Sequence, residues 1–205
     1  GLLFERFYDR YDADFSVDKQ ADSHQLNSLV GPVGDKSQLE QAVGRRIQMV
    51  SALEGAFGVF TTDWHFITGM GNPHPAENGF SWHPVLGTPY LPGSGVKGLL
   101  RAWLETCVYD ETEKGEQNQR LQDWFGRDAG SNGAQDSGKA GDLIFFDAIP
   151  VAQTTIEVDI MTPHMGKWYE RGGEAPTAES LPGDWHDPVP VPFLVTADAQ
   201  FLFSV

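Results

Sequence analysis

Cysteine, basic residues and long hydrophobic runs are all scarce in this 205-residue chain. Cys107 is the single cysteine, which excludes an intrachain disulfide and a cysteine-rich zinc ribbon or finger. No apolar run approaches the roughly 20 residues that a membrane span requires. The first residues do not form a basic segment followed by an apolar one, as an export signal would. We therefore expect a cytoplasmic protein without membrane contact.

Positive charge is also in short supply. The chain has 14 Lys and Arg against 29 Asp and Glu, so its formal net charge is −15. Because neutralisation of phosphates by Lys and Arg supplies most non-specific affinity for nucleic acid, this balance argues against a free-standing nucleic-acid binder. A nucleic-acid role requires that the few cations share one face, or that neighbouring subunits supply the positive groove.

What is present is typical of a folded protein, with 40% hydrophobic and 12% aromatic residues. Helical spacing of apolar residues predicts helices at 37–52, 94–109 and 116–125, the second with a buried stripe of Leu, Val and Trp. Strands are predicted at 57–67, 143–146, 155–160, 189–195 and 200–205, and the last two look like a final strand pair. We expect glycine- and proline-rich excursions at 126–141 and 167–188. Helices mixed with short strands, without regular βαβ spacing, predict an α+β fold.

The segment 87–101, Gly-Thr-Pro-Tyr-Leu-Pro-Gly-Ser-Gly-Val-Lys-Gly-Leu-Leu-Arg, has the chemistry of a phosphate site. If Gly93 ends a strand and Ser94 caps the following helix, free amides and the helix dipole form an anion site. Lys97 and Arg101 are four apart and share a helix face. Gly98 inside the helix suggests close approach of RNA or of a packed strand. The alternative is an ordinary capped helix with solvated cations.

Other residues are weaker candidates. Arg45 and Arg46 form either part of a basic face or a solvated helix edge. His164 either contacts RNA or orients a loop. Phe80, Trp82 and His83, in a proline-rich segment, either stack on unpaired bases or seal the loop against the core.

No metal site or cofactor is expected. Asp142, Asp147 and Asp159 lie at predicted strand ends, but no histidine or second carboxylate stands at a fixed spacing from them. Carboxylates at strand ends commonly cap turns, and we expect that role here. A nucleotide-binding P-loop is excluded because Lys97 is followed by Gly98 rather than by Ser or Thr.

The segment 87–101 is similar to the signature of the RAMP (repeat-associated mysterious protein) superfamily, in which Pro-Gly-Ser ends a strand and the next helix carries Lys-Gly and then Arg. Further segments resemble, in order, the branch that forms the sixth subunit of the Cmr complex in type III-B CRISPR systems. These segments are 69–71, 77–80, 83–84, 141–150, 159–164 and 188–194. The chain departs from the signature at Gly95, where a second serine is usual. We also expect it to lack the family's glycine-rich C-terminal segment, which is absent after Val205.

The resemblance implies one RAMP domain over 1–205, with a helical N-terminal segment of about 54 residues and a ferredoxin-like, RRM-like core carrying helical and loop insertions. It implies a non-catalytic subunit that binds guide CRISPR RNA near its 3′ end and target RNA, and that assembles with other RAMP subunits. The residues assigned to RNA binding are Gly93, Ser94, Lys97, Arg101, Arg45, Arg46 and His164.

Two other functions stay open. Some RAMP proteins are metal-independent ribonucleases that use histidine as general acid and base. The candidates here are His24, His65, His74, His83, His164 and His186. An acidic chain with six tryptophans also resembles a carbohydrate-binding module, although its tryptophans are spread widely rather than set at strand spacing.

Overall fold

The structure is a computed structural model, and it describes residues 1–9, 11–16, 26–75, 77–109, 114–127, 138–170, 177, 180–181 and 183–205. Its helices are α1 Leu2–Glu5, α2 Lys36–Ala52, α3 Gly93–Trp103, α4 Lys114–Phe125 and α5 Gly166–Glu170. Its strands are β1 Gly31–Val33, β2 Phe57–Thr61, β3 Pro73–His74, β4 Glu77–Asn78, β5 Gly126–Arg127, β6 Lys139–Ala140, β7 Ile149–Pro150, β8 Thr154–Met161, β9 Val191–Ala197 and β10 Gln200–Ser204.

The chain divides into two compact units. Unit 1 contains residues Gly1–Val33, Thr62–Gly87 and Thr154–Ala199, and unit 2 contains Gly34–Thr61, Thr88–Gln153 and Gln200–Val205. Each unit has its own three-stranded antiparallel sheet, in the order β1-β8-β9 in unit 1 and β2-β10-β7 in unit 2. The prediction of a mixed fold of helices and short strands is confirmed.

The core of unit 1 is formed by aromatic and branched side chains on one side of its sheet. The buried cluster consists of Phe4, Leu26, Phe80, Trp82, Ile156 and Leu194. Phe80 and Trp82 each expose 3% of their surface. Base stacking by these two rings is therefore excluded, and the alternative that they seal their loop against the core is confirmed.

Unit 2 is built around α2 and the central strand β10. The carboxylate of Asp35 caps α2 by accepting a hydrogen bond from the Gln38 amide at 2.9 Å. Leu39 and Val50, on the inner face of α2, are fully buried. In the sheet, Leu202 of β10 lies between β2 and β7 and is likewise fully buried.

The last two strands do not pair with each other, contrary to the prediction. β9 pairs with β8 along seven residues in unit 1, whereas β10 pairs with β2 and β7 in unit 2. Asp198, with φ 49°, lies between them. Alternating apolar residues indicate a strand but not its partner, so the pattern suggested a hairpin. The predicted strand at 143–146 is also absent, since these residues have no ladder pairing.

The helix predicted at 94–109 begins at Gly93 and stays α-helical to Trp103, after which a π-helical turn runs over Leu104–Val108. Its apolar stripe is not buried as predicted, since Leu99 exposes 65% of its surface and Trp103 52%.

The two predicted excursions are described only in part. Residues 128–137 of the first, and 171–176, 178–179 and 182 of the second, lie outside the described residues. No helix in the described part of the chain combines the length and apolar character needed to cross a bilayer.

Candidate nucleic-acid interface

The N-terminus of α3 is held by an internal carboxylate. The Gly93 amide donates a hydrogen bond to Oδ1 of Asp147 at 2.7 Å, and the carbonyl of Pro92 accepts hydrogen bonds from the Gly95 and Val96 amides. Pro92 is the N-cap residue and the first amide is capped by Asp147 instead, so the prediction that Ser94 caps the helix is wrong. Because Asp147 binds the Gly93 amide and places a negative charge at the dipole's positive end, this end of the helix is less suited to a phosphate than predicted.

Gly93 is required by packing. It is buried, and a Cβ at this position would collide with the carbonyl oxygen of Phe145. Because its amide is bound to Asp147 and its surface is covered, Gly93 has no group left for a phosphate. The glycine in the signature allows α3 to begin directly against residues 145–147.

The polar face of α3 remains open. At 100° per residue, Ser94, Lys97, Gly98 and Arg101 lie on one side of the helix. A Cβ added at Gly98 would meet no described atom within 4 Å, so no packed strand explains this glycine. Among the described residues Lys97 has no hydrogen-bond or ion-pair partner. This face therefore presents a free ammonium group beside an uncovered stretch of helix backbone.

Arg101 can bind a phosphate only by releasing its present partner, Glu105. Its Nε donates to Oε1 of Glu105 at 2.9 Å, one turn later, and its guanidinium also reaches the carbonyl of Gly126 at 3.4 Å. The Arg101 side chain retains 41% of its exposure, and exposed pairs of this kind contribute at most about 1 kcal/mol. A phosphate can therefore compete with Glu105 for Arg101.

The two arginines of α2 differ in their roles. Arg45 is exposed and has no partner among the described residues. Arg46 donates to the carbonyl of Asp147 at 2.9 Å and to Oγ of Ser204 at 3.4 Å, and its guanidinium lies 4.7 Å from the Phe146 ring centroid. Burial lowers the pKa of Arg46 despite the nearby charge of Asp147. Arg46 thus connects α2 to the sheet, which corrects its assignment to a free basic face.

His164 belongs to unit 1 and orients a loop. Its Nδ1 donates to the carbonyl of His186 at 2.7 Å, and His186 is held in turn through Nε2 by the carbonyl of Leu181 at 2.8 Å. These contacts connect the end of β8 to the segment that leads into β9, which agrees with the loop-orienting alternative. His24 lies outside the described residues.

A second histidine contact was missed by the sequence analysis. Nδ1 of His65 lies 3.1 Å from Oδ2 of Asp159, and its Nε2 lies 3.5 Å from Oε2 of Glu157. The hydrogen bond from His65, followed by one from the Ile160 amide, lowers the pKa of Asp159. Glu157 and Asp159 are two residues apart on β8, so their side chains point to the same face of the sheet. That spacing was the sequence signal for a shared partner.

Positive charge is unevenly divided between the units. Unit 2 contains nine Lys and Arg against thirteen Asp and Glu, whereas unit 1 contains five against sixteen. The cations of the signature therefore belong to the less acidic unit. Across the described ranges, no three His, Cys, Asp or Glu side chains are grouped in a way that could hold a metal ion.

Comparison with known proteins gives one family and several relatives. The model of the RAMP superfamily matches residues 59–190. The CRISPR system Cmr subunit Cmr6 of Pyrococcus furiosus is 29% identical, over 77% of this chain and 59% of the relative. This chain thus spans less than two thirds of that relative.

Two solved structures were also compared. A chain in the cryo-EM structure of the type III-B Cmr-beta bound to cognate target RNA has a TM-score of 0.56 at 19% identity, covering 84% of this chain and 53% of that one. The crystal structure of Cmr6 from Pyrococcus furiosus has a TM-score of 0.30 at 23% identity, covering 73% of this chain and 82% of that one. The first of these likenesses concerns the fold alone.

Proposed function

The chain belongs to the RAMP superfamily, and from this membership we propose that it is a non-catalytic, RNA-binding assembly subunit of a type III-B CRISPR complex. In this role it binds the guide CRISPR RNA near its 3′ end and lies close to the target RNA. Its other partners are the neighbouring RAMP subunits. The sequence similarity to Cmr6 supports the choice of complex.

The observation that carries the proposal is the polar face of α3. Among the described residues it combines an ammonium group of Lys97 without a partner, the exchangeable guanidinium of Arg101 and uncovered backbone at Gly98. A phosphodiester chain needs cations spaced along an open surface, and it can approach glycine more closely than any other residue. Arg45 extends the exposed cations of unit 2, whereas Gly93 is withdrawn from the proposed contacts and Arg46 contributes structurally.

The proposed architecture is one RAMP domain with a ferredoxin-like core. The family match at 59–190 includes segments of both compact units, which supports treating them as parts of one domain. The antiparallel order β2-β10-β7, with α3 between β2 and β7 in the chain, supports a core of this kind.

Acidic subunits can still hold RNA when they act together. With a net charge of −15, this chain alone offers weak non-specific attraction for phosphates. We propose that neighbouring subunits provide most of the positive groove. Lys97 and Arg101 would then position the RNA locally.

The proposal is tested by the variant Lys97→Ala plus Arg101→Glu, in a complex assembled from this chain and its neighbouring subunits. We expect the variant complex to assemble normally but to lose RNA at lower salt. The slope of log affinity against log salt should fall by about 0.7 for each lost phosphate contact.

A matched control is Lys36→Ala plus Lys167→Glu, which makes the same charge change at exposed positions on α2 and α5. The control complex should retain RNA like the unmodified one. Equal RNA retention by all three correctly assembled complexes would refute the α3 contacts.

A further inference from the structure

An apolar groove lies in unit 2, on the side of α3 opposite Lys97 and Arg101. Its volume is about 610 Å³. The helix contributes Leu99, Leu100 and Trp103, and the sheet contributes Phe57, Phe60 and Phe203. Leu99 and Phe60 expose 65% and 63% of their surfaces. Apolar surface of this kind, contiguous and uncovered, marks an interaction site in soluble proteins.

The groove adjoins an unpaired strand edge. Among the described residues β2 pairs only with β10. Ala56 and Val205 exchange both backbone hydrogen bonds, so alternation along the antiparallel ladder directs the Phe57, Val59 and Thr61 amides away from β10. Within the part of the chain that the structure describes, these three residues present a row of unpaired backbone donors and acceptors at the border of the groove.

This edge lacks the usual protection against pairing. Natural edge strands are commonly protected by a lysine, a proline or a bulge. β2 contains no lysine and no proline, and its register with β10 is unbroken. Val59 is 51% exposed and Phe57 47% exposed, so side chains as well as backbone are ready for contact. The strand is therefore suited to receive another strand by β-augmentation.

Charge decides what kind of segment fits. A second copy of the chain would bring together two molecules with net charge −15, which disfavours self-pairing. In the sequence, the nearest charged residues on either side of β2 are Glu54 and Asp63, both exposed. An occupant with Lys or Arg at its ends and apolar residues between them complements both the edge and the groove.

We infer that β2 receives an extended, apolar strand with basic flanks from a neighbouring protein subunit, whose side chains fill the groove against α3. This inference rests on the proposed assembly role and specifies the assembly contact. The RNA lies on the opposite face of α3, so one helix separates the two partners.

Hydrogen exchange measured residue by residue tests the inference without mutation. In the isolated chain, the Phe57, Val59 and Thr61 amides should exchange rapidly, whereas the Gly58 and Phe60 amides, bonded to β10, should be protected. In the assembled complex, exchange of the Phe57, Val59 and Thr61 amides should slow by about tenfold or more. The inference would be overturned if these three amides exchanged at the same rate in the isolated chain and in the complex. Protection of these amides already in the isolated chain would overturn it as well.

Variants separate backbone pairing from side-chain contact. Val59→Pro removes an outward amide, which an edge strand tolerates, and should abolish incorporation into the complex. Val59→Thr keeps the outward amide and a β-branched side chain, so it should incorporate far better than Val59→Pro. Leu99→Glu should weaken incorporation, whereas Val85→Glu, at an exposed position outside the groove, should not.

The two proposals fail differently. A chain that never copurifies with neighbouring RAMP subunits refutes the proposed function. A chain that copurifies while its outward β2 amides remain unprotected refutes only the strand contact. Normal incorporation of Val59→Pro, with an intact fold by circular dichroism, would also refute the strand contact.

Discussion

Asp147 illustrates how one residue can satisfy several structural requirements at once. Its carboxylate accepts the Gly93 amide at the start of α3, and its carbonyl accepts the Arg46 guanidinium from α2. A carboxylate at a helix N-terminus is stabilised by the helix dipole as well as by the hydrogen bond. The residue therefore fixes where the signature helix begins.

Loss of this carboxylate should cost stability. We predict that Asp147→Ala lowers the free energy of unfolding by about 1 kcal/mol, the usual effect of losing an N-terminal cap. Asp147→Asn keeps an acceptor and should lose less. Urea unfolding measures both changes, with Asp142→Ala as the control, because that exposed carboxylate accepts no hydrogen bond among the described residues. Equal effects of Asp147→Ala and Asp142→Ala would contradict the capping role.

The contact between His65 and Asp159 predicts a pH dependence. Hydrogen bonding to His65 lowers the pKa of Asp159 in the folded chain. A carboxyl pKa that is lower in the folded chain than in the unfolded chain stabilises the fold at pH values above the unfolded-state pKa. This stabilisation is lost as the pH falls through the folded-state pKa. In His65→Ala, a carboxyl NMR titration should show the pKa of Asp159 moving up toward its ordinary value.

Asp123 provides the internal control for that titration. Lys139, 2.9 Å away, and Gln119 lower the pKa of Asp123, and neither contact involves His65. The pKa of Asp123 should therefore stay depressed in His65→Ala. An unchanged Asp159 pKa in the variant would show that His65 is not the cause.

Among the elements, α3 is an amphipathic helix with a proposed contact on each face. Its polar face carries the proposed RNA contacts and its apolar face lines the groove. The sequence predicted the helix and its apolar stripe, because the 3.6-residue period is strong. It could not predict that the stripe is uncovered, since exposure depends on what packs against the helix rather than on the pattern.

Two glycines of α3 should respond oppositely to alanine. Gly93→Ala should destabilise the fold, because the new Cβ collides with the Phe145 carbonyl. Gly98→Ala should stabilise it by up to about 1 kcal/mol, because the site is open and alanine is the better helix former.

The same pair separates stability from RNA binding. Unfolding curves and RNA retention by the assembled complex provide the two measurements. Gly98→Ala should weaken RNA retention while raising stability, if the backbone there is approached by RNA. If Gly98→Ala is more stable and its complex retains RNA as well as the unmodified complex, RNA does not approach the backbone closely at Gly98.

Other elements show where prediction from sequence ends. The position of α2 was predicted almost to the residue, because Asp35 and a regular apolar face define it locally. β9 and β10 were located correctly as strands, yet their partners lie in different sheets. Strand pairing depends on residues far away in the chain, which a local period does not encode. The contact between Asp147 and Gly93, 54 positions apart, was hidden for the same reason.

Across the whole molecule, the uneven distribution of charge limits how this chain can bind RNA. Nine of the fourteen cations belong to unit 2, and unit 1 is strongly acidic. In the proposed role, a chain of this composition would contribute local contacts to RNA rather than a complete binding surface. The family and the cations of its signature, Lys97 and Arg101, were recognisable from the sequence. The roles of Gly93, Ser94 and Arg46 became clear only from their three-dimensional contacts.

Copurification is the decisive test of whether the chain is an RNA-binding assembly subunit. A tagged chain is expressed with the proteins encoded beside it, the complex is isolated, and the RNA that accompanies it is sequenced. We predict recovery of short guide CRISPR RNA together with other RAMP subunits. A monomer recovered without RNA, under conditions in which the neighbouring subunits assemble with each other, would contradict it.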